Sequence, residues 1–189
     1  MRGETAKKAP IIRLGPLTFP ARDFLYRLIY SYNGRMNLMS RILPLENIAL
    51  DVEATSKKRA FEQAGLLFEN HHGIARTAVF QSLIARERLG STALGHHIAV
   101  PHGRIKGLKE PCAAFIRLAD PVRFDATDGR LANLLFFVLV PETATQLHLD
   151  LLAEIARLVS NPSLRQMLST ETDPAVIHRL LTADVATAE

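Results

Sequence analysis

A continuous apolar run occupies residues 134–140, which read Leu-Leu-Phe-Phe-Val-Leu-Val. The run has no alternation of apolar and polar residues, so a strand formed by it must be covered on both faces. Strands of this kind lie inside sheets that have helices packed on both sides. The run therefore predicts an α/β protein.

Helical periodicity flanks this run on both sides. Apolar residues recur three and four positions apart, and the stretches with this spacing predict helices over residues 55–70, 75–88, 143–159, 162–169 and 173–182. In the helix over 143–159 the predicted inward residues are Leu147, Leu151, Leu152, Ile155, Leu158 and Val159. Thr55 or Ser56 can cap the first helix, and Pro162 and Pro174 suit first helical positions. Two shorter apolar runs predict strands at 98–100 and 113–118.

The positive charge of the chain is concentrated near its start. Residues 1–35 hold seven of the 23 Lys and Arg but two of the 19 Asp and Glu, and the remainder is close to neutral. A basic stripe supplies most non-specific affinity for nucleic acid, so a neutral body argues against a nucleic-acid-binding protein. No run reaches the roughly 18 apolar residues that a spanning helix needs, and stable membrane insertion is therefore not expected.

These patterns divide the chain into three predicted segments. Residues 1–38 are an N-terminal extension, 39–185 are one regular domain, and 186–189 are a short tail. The basic amphipathic stretch at 21–30 fits an arm that binds a membrane or a partner. The favoured alternative is a natural start at Met36 or Met39, with the preceding residues disordered or absent, because they lack core periodicity.

The chain has a histidine at the end of a predicted strand. His102 follows the apolar residues Ile98-Ala99-Val100 and Pro101, and precedes Gly103. Proline fixes its own φ and glycine permits close backbone approach, so the imidazole is predicted on a stiff turn. A neutral imidazole has one nitrogen lone pair available as a nucleophile. The alternative is a turn histidine without a chemical role.

A helix end rich in arginine provides a second candidate group. Residues 86–92 read Arg-Glu-Arg-Leu-Gly-Ser-Thr. Arginine binds phosphate with two donors, and hydroxyls and loop amides can complete an anion site. We therefore expect Arg86, Ser91, Thr92 and Gly103 to contribute to phosphate binding. The alternative is a solvated helix terminus whose arginines interact with the helix dipole.

A second histidine lies near the start of the helix predicted over 143–159. His148 borders the inward face of that helix, so it is either a packed core residue or an auxiliary imidazole. The adjacent pairs His71-His72 and His96-His97 do not have the spacing of zinc ligands, and neither a metal nor a cofactor is predicted. The sole cysteine, Cys112, excludes an intramolecular disulfide and is predicted to be buried.

Taken together, residues 40–182 resemble the enzyme IIA domains of the bacterial phosphoenolpyruvate-dependent phosphotransferase system, of fructose/mannitol type. The residues that carry the resemblance are Thr55-Ser56-Lys57-Lys58-Arg59, Arg86 to Gly95, Ile98 to Gly103, Asn133 to Phe136, Val138 to Pro141, and His148. Within this group the sequence is most similar to the nitrogen-regulatory IIA proteins.

The resemblance implies a single domain with a mixed β-sheet flanked by helices. It implies a cytoplasmic carrier that accepts phosphate from a small histidine phosphocarrier protein. In this carrier His102 is the acceptor, Arg86 assists the phosphate, and His148 lies beside the acceptor. A regulatory role with protein targets is expected. The alternatives are a discrete sugar-specific IIA component, a binding module that is not phosphorylated, and a metal-dependent hydrolase.

One residue departs from the family pattern. The family commonly has glycine or another small residue directly before the strand that leads to the acceptor, and here His97 stands there beside His96. If the backbone requires a positive φ, His97 is strained. A second interpretation places His97 on the rim of the site.

Overall fold

The computed structural model describes residues 38–143 and 146–183. The α-helices in these ranges are α1 Met39–Ile42, α2 Lys57–His72, α3 Arg76–Glu87, α4 Gln146–Ser160, α5 Pro162–Thr170 and α6 Pro174–Thr182. The strands are β1 Ile48–Val52, β2 Ala93–Gly95, β3 Ile98–Ala99, β4 His102–Ile105, β5 Cys112–Val122 and β6 Ala132–Pro141. The predicted extension and tail lie outside the described residues apart from Leu38, so the predicted segmentation of the chain stays a prediction.

The strands form one mixed sheet in the order β1-β5-β6-β3-β2, with β4 also paired to β6. The pairs β1–β5, β3–β6 and β4–β6 are parallel, whereas β5–β6 and β2–β3 are antiparallel. The predicted α/β class, with helices flanking a mixed sheet, is confirmed. The three predicted strands correspond to β3, β5 and β6, while β1, β2 and β4 were not predicted because they are short and lack a clear period.

Strand β6 is buried on both faces, as its uniform apolar sequence predicts. The Phe137 ring lies edge-on to the Phe61 ring of α2, with the ring centroids 6.0 Å apart. The Phe136 ring, one residue along the strand, packs instead against the Phe115 ring of β5 at 4.9 Å. Each buried phenylalanine contributes about 1.5–3 kcal/mol, so this strand is a main source of stability.

The helix ends follow the predicted signals. Ser56 caps α2 by accepting a hydrogen bond from the Arg59 amide at 3.3 Å, and Gly73 ends that helix in the left-handed region with φ 65°. Pro162 and Pro174 occupy first turns, each preceded by a capping residue. Of the predicted inward residues of α4, Leu147 is instead 41% exposed.

Two residues of the β2–β3 turn have a positive φ, which is the condition under which His97 was expected to be strained. His96 has φ 51° and His97 has φ 68°. The His96 amide donates to Asp128 Oδ2 at 2.8 Å, and His97 Nδ1 donates to the Leu131 carbonyl at 2.8 Å. These two bonds hold the strained turn in place and direct the His97 side chain to Leu131.

A buried arginine joins elements that are far apart in the sequence. Arg117 of β5 is 4% exposed, and its Nε and Nη2 donate to the two carboxylate oxygens of Asp51 at 3.0 Å each. Its Nη1 donates to the carbonyls of Leu168 and Glu171 at the end of α5. The side chain therefore ties β1, β5 and α5 together.

Arg117→Met should lower the free energy of unfolding by about 1.5–3 kcal/mol, because the substitution leaves the carbonyls of Leu168 and Glu171 without their charged donor, whereas the exposed Asp51 carboxylate is solvated by water. Urea unfolding measures the change. Arg123→Met is the matched control, since Arg123 is an exposed arginine that follows the same strand. Equal effects of the two substitutions would contradict the structural role of Arg117.

Candidate functional site

His102 is the first residue of β4 and is 9% exposed. Its Nδ1 lies 2.9 Å from the Val100 carbonyl, which can only accept, so Nδ1 carries the proton. Its Nε2 accepts a hydrogen bond from Arg86 Nε at 2.8 Å. Both contacts require the same tautomer, in which the lone pair of Nε2 is the available nucleophile.

A glycine brings Arg86 within reach of this ring. A Cβ atom on Gly103 would collide with Ser82 Oγ of α3, so the absence of a side chain permits close approach of α3 to β4. The Ser82 hydroxyl then donates to the Arg104 carbonyl at 2.8 Å. Arg86 lies one helical turn after Ser82 and therefore faces His102.

The loop that follows α3 is anchored by side chains from several segments. Arg86 Nη1 donates to the Gly90 carbonyl at 2.9 Å. The Ser91 hydroxyl donates to the Phe124 carbonyl, and the Thr92 hydroxyl donates to Glu87 Oε2 at 2.7 Å. Ser91 and Thr92 line a small pocket beside His102, but their hydroxyl protons are already engaged. Their expected contribution to phosphate binding, and that of Gly103, stay predictions.

His148 lies directly beside His102. The two ring centroids are 5.0 Å apart and the rings are tilted by 57°. His148 Nδ1 is buried and has no hydrogen-bond partner. Within residues 38–143 and 146–183 it is the single buried side-chain nitrogen or oxygen atom without one. A buried polar atom without a hydrogen-bond partner destabilises the fold, so this atom is a candidate for binding a ligand.

Both imidazoles are shifted toward the neutral form. Burial lowers the pKa of His102 below its usual value, Arg86 and His148 lower it further, and the Val100 carbonyl and Glu87 oppose the shift. Burial, Arg104 and Arg86 lower the pKa of His148. At neutral pH both rings are therefore uncharged, and the Nε2 lone pair of His102 is not lost to a proton.

The two histidines open onto a surface groove of about 420 Å³. Arg86 and Arg104 provide two guanidinium groups among its lining residues, and Leu89 is exposed beside them. Arg104 was not predicted as a site residue. Its position two residues after His102 on one strand was the available signal, because such residues share a face.

The described residues give little support to a metal site, a reactive cysteine or a membrane-spanning helix. Among the described residues, no group of three His, Cys, Asp or Glu side chains is arranged to hold a metal ion. Burial raises the pKa of Cys112 to about 12, so this thiol is not a nucleophile at neutral pH. Helices long and apolar enough to cross a membrane are absent from the described part of the chain.

Comparison with known proteins identifies relatives along most of the chain. The family model of the phosphoenolpyruvate-dependent sugar phosphotransferase system, EIIA 2, matches residues 41–184. The nitrogen regulatory protein of Pseudomonas aeruginosa is 38% identical over 144 residues, covering 76% of this chain and 94% of that protein.

Solved structures agree with this result. The crystal structure of nitrogen regulatory protein IIA-Ntr from Neisseria meningitidis is 47% identical, with a TM-score of 0.73, over 77% of this chain and all of the other. The mannitol IIA structure from Escherichia coli is 26% identical, with a TM-score of 0.63, over 74% of this chain and 98% of the other.

Arg86→Leu should raise the pKa of His102, because it removes both a positive charge and a donor that binds only the neutral Nε2. Titration of the ring by ¹⁵N NMR measures the shift. Arg88→Leu, at an exposed position two residues away, is the control. An unchanged or lower pKa for His102 in the Arg86 variant would contradict this description of the site.

Proposed function

The chain belongs to the EIIA 2 family of the phosphoenolpyruvate-dependent sugar phosphotransferase system, and we propose that it is a carrier that accepts a phosphoryl group on Nε2 of His102. The observation that carries the proposal is the pair of contacts on this ring. The Val100 carbonyl holds the proton on Nδ1, and Nε2 faces a guanidinium group.

The proposed reaction is transfer between two histidines. Nε2 of His102 attacks the phosphorus atom of the phosphorylated donor, a P–N bond forms, and the P–N bond to the donor imidazole breaks. The donor imidazole leaves with the electron pair. His102 keeps its Nδ1 proton throughout, and the Val100 carbonyl stabilises the positive charge that develops on the ring.

Arg86 has two successive tasks in this reaction. In the unphosphorylated protein its Nε–H occupies the Nε2 lone pair. The incoming phosphoryl oxygens compete for the guanidinium group, which releases Nε2 and neutralises the charge of the transferred group. A planar guanidinium group can contact two phosphoryl oxygens at once, which a lysine cannot do.

His148 supplies a further donor. Its Nδ1 is buried without a partner next to the acceptor ring. When the proton is on Nδ1, this atom can donate to a phosphoryl oxygen bound to His102, and the unsatisfied group then acquires a partner. A phosphoryl group brings roughly two negative charges, so several donors are needed to hold it.

The donor in this proposal is a small histidine phosphocarrier protein. Two exposed leucines, Leu89 and Leu94, line the pockets beside His102, and the exposed Leu147 and Leu149 are the sequence neighbours of His148, which supports docking of a protein rather than of a small molecule. Their apolar side chains and the two nearby guanidinium groups fit a partner surface with an apolar centre and an anionic phosphoryl group. The proposed compartment is the cytoplasm.

A regulatory role of nitrogen type is supported by two relatives that are nitrogen regulatory proteins, at 38% and 47% identity. Its protein targets would recognise the phosphorylation state. A discrete sugar-specific component is the second candidate, favoured by the similarity to mannitol IIA at the lower identity of 26%.

His102→Ala should abolish labelling of the chain by phosphoenolpyruvate, the general phosphotransferase enzyme and the phosphocarrier protein, because the nucleophile is removed. Circular dichroism shows that the fold survives. His148→Ala is the control and should still be labelled on His102. Undiminished labelling of the His102 variant, or a label mapped to His148, would overturn the assignment.

Arg86→Lys and His148→Ala should unfold at the parent temperature but accept phosphate about 10- to 100-fold more slowly. A hydrogen bond to a charged group contributes about 1.5–3 kcal/mol, and this amount is lost from the transition state. Rapid-quench labelling and thermal melting measure the two quantities. If either variant unfolds early while its folded fraction reacts at the parent rate, that residue is structural.

A further inference from the structure

A buried carboxylate that the proposed reaction does not use lies one residue after Arg86. The Glu87 side chain is 8% exposed. Its Oε1 accepts from Lys57 Nζ at 2.8 Å, and its Oε2 accepts from the Thr92 amide at 3.2 Å and the Thr92 hydroxyl at 2.7 Å. Glu87 therefore closes the loop after α3 and joins that loop to the first residue of α2.

A short series of hydrogen bonds leads from this carboxylate to the acceptor ring. The Glu87 carboxylate accepts hydrogen bonds from both the amide and the hydroxyl of Thr92. The Thr92 carbonyl accepts from the Val100 amide at 3.0 Å, and the Val100 carbonyl accepts from His102 Nδ1 at 2.9 Å. Val100, whose carbonyl selects the tautomer of His102, is thus held through its amide by Thr92, and Thr92 is held by Glu87.

We propose that Glu87, anchored by Lys57, is a positioning residue for the acceptor: through Thr92 and Val100 it keeps the proton on Nδ1 and so leaves Nε2 unprotonated. The expected effect of Glu87 on phosphotransfer rests on the proposed function. Its expected effect on the tautomer of His102 requires no partner protein. The hydrogen-bond partners of the His102 ring are Arg86 and Val100, so Glu87 acts on the ring through other residues.

The surroundings of Lys57 support a fixed anchor. Lys57 Nζ also pairs with Asp125 at 3.3 Å and lies 5.2 Å from the centre of the Phe124 ring. The Phe124 carbonyl in turn accepts from the Ser91 hydroxyl. The loop after α3 is therefore held by two residues that lie close to each other: Lys57 of α2, through Glu87, and Phe124 of the segment that follows β5.

Charge distinguishes this role from loop packing alone. The groups that face His102 are Arg86 and Glu87 of α3, His148 of α4, and Arg104 on its own strand. Among them only Glu87 is negative, and it opposes the cationic groups in setting the pKa of His102. Removing its charge should lower that pKa further.

The test compares Glu87→Gln and Lys57→Met with the parent chain. The ¹⁵N shifts of His102 at pH 8 report the tautomer, and thermal melting reports the fold. We expect the parent ring to be in the Nδ1–H form and both variants to show a populated Nε2–H form. Lys57→Arg, which keeps the ion pair, should restore the parent tautomer. Glu62→Gln is the matched control, because Glu62 pairs with Arg59 on the exposed face of α2.

The second measurement is the initial rate of labelling against pH. Both variants should accept phosphate on His102 about tenfold more slowly than the parent, equivalent to about 1.4 kcal/mol in the barrier. In Glu87→Gln the acid limb of the profile should also move to lower pH. If Glu87→Gln does not fold, Lys57→Met decides the tautomer and the rate.

Folded variants with the parent tautomer would overturn the inference, whether their labelling rate is unchanged or reduced. A reduced rate with an unchanged tautomer would indicate loop stability or donor docking instead. If the parent chain itself takes no label, the proposed function fails, and the NMR comparison alone decides whether Glu87 positions the ring.

Discussion

Strand β6 pairs with β5 along one edge and with both β3 and β4 along the other. The chain can leave β3 and rejoin the same edge as β4 because Pro101 lies between them. The Pro101 carbonyl accepts from the Val138 amide at 3.0 Å, while proline has no amide proton to leave unpaired. This interruption holds His102 beside the most deeply buried strand of the sheet and yet leaves one ring nitrogen directed to the surface groove.

The site depends on where protons are held more than on how many charges it contains. The Val100 carbonyl and the Arg86 guanidinium group determine the tautomer of His102, and burial keeps the ring neutral. A flexible histidine in water would distribute its proton over both nitrogens and would be partly protonated near neutral pH. The fold removes that ambiguity by fixing the hydrogen-bond partners of the ring before any partner protein arrives.

Rigid and adaptable parts are separated in space. The proposed acceptor, His102, lies on a strand of the sheet, and the groups that hold the segment before it are buried or ion-paired: Thr92, Glu87 and Lys57. Two exposed leucines line the pockets beside His102: Leu89 follows the end of α3 and Leu94 lies in β2. In the proposed function, docking can therefore vary with the partner while the geometry of His102 stays constant, as a carrier with both a donor and a target would require.

The sequence by itself determined the five longer helices, the long strands and the candidate acceptor, because apolar periodicity, proline and glycine act within a few residues of one another. The four-residue helix α1 was not predicted. Through the resemblance to a family the sequence also predicted Arg86 and His148 as site residues with His102, and the structure brings the three side chains together. The tertiary structure alone decided which polar groups become partners. Arg117 pairs with Asp51, from which it is separated by 66 positions in the sequence. The Ser91 hydroxyl donates to the Phe124 carbonyl, at a separation of 33 positions. The short strands β1, β2 and β4 likewise form only because a long neighbour offers them hydrogen bonds. Such pairings depend on distances between segments that are remote in sequence, and local pattern carries no information about those distances.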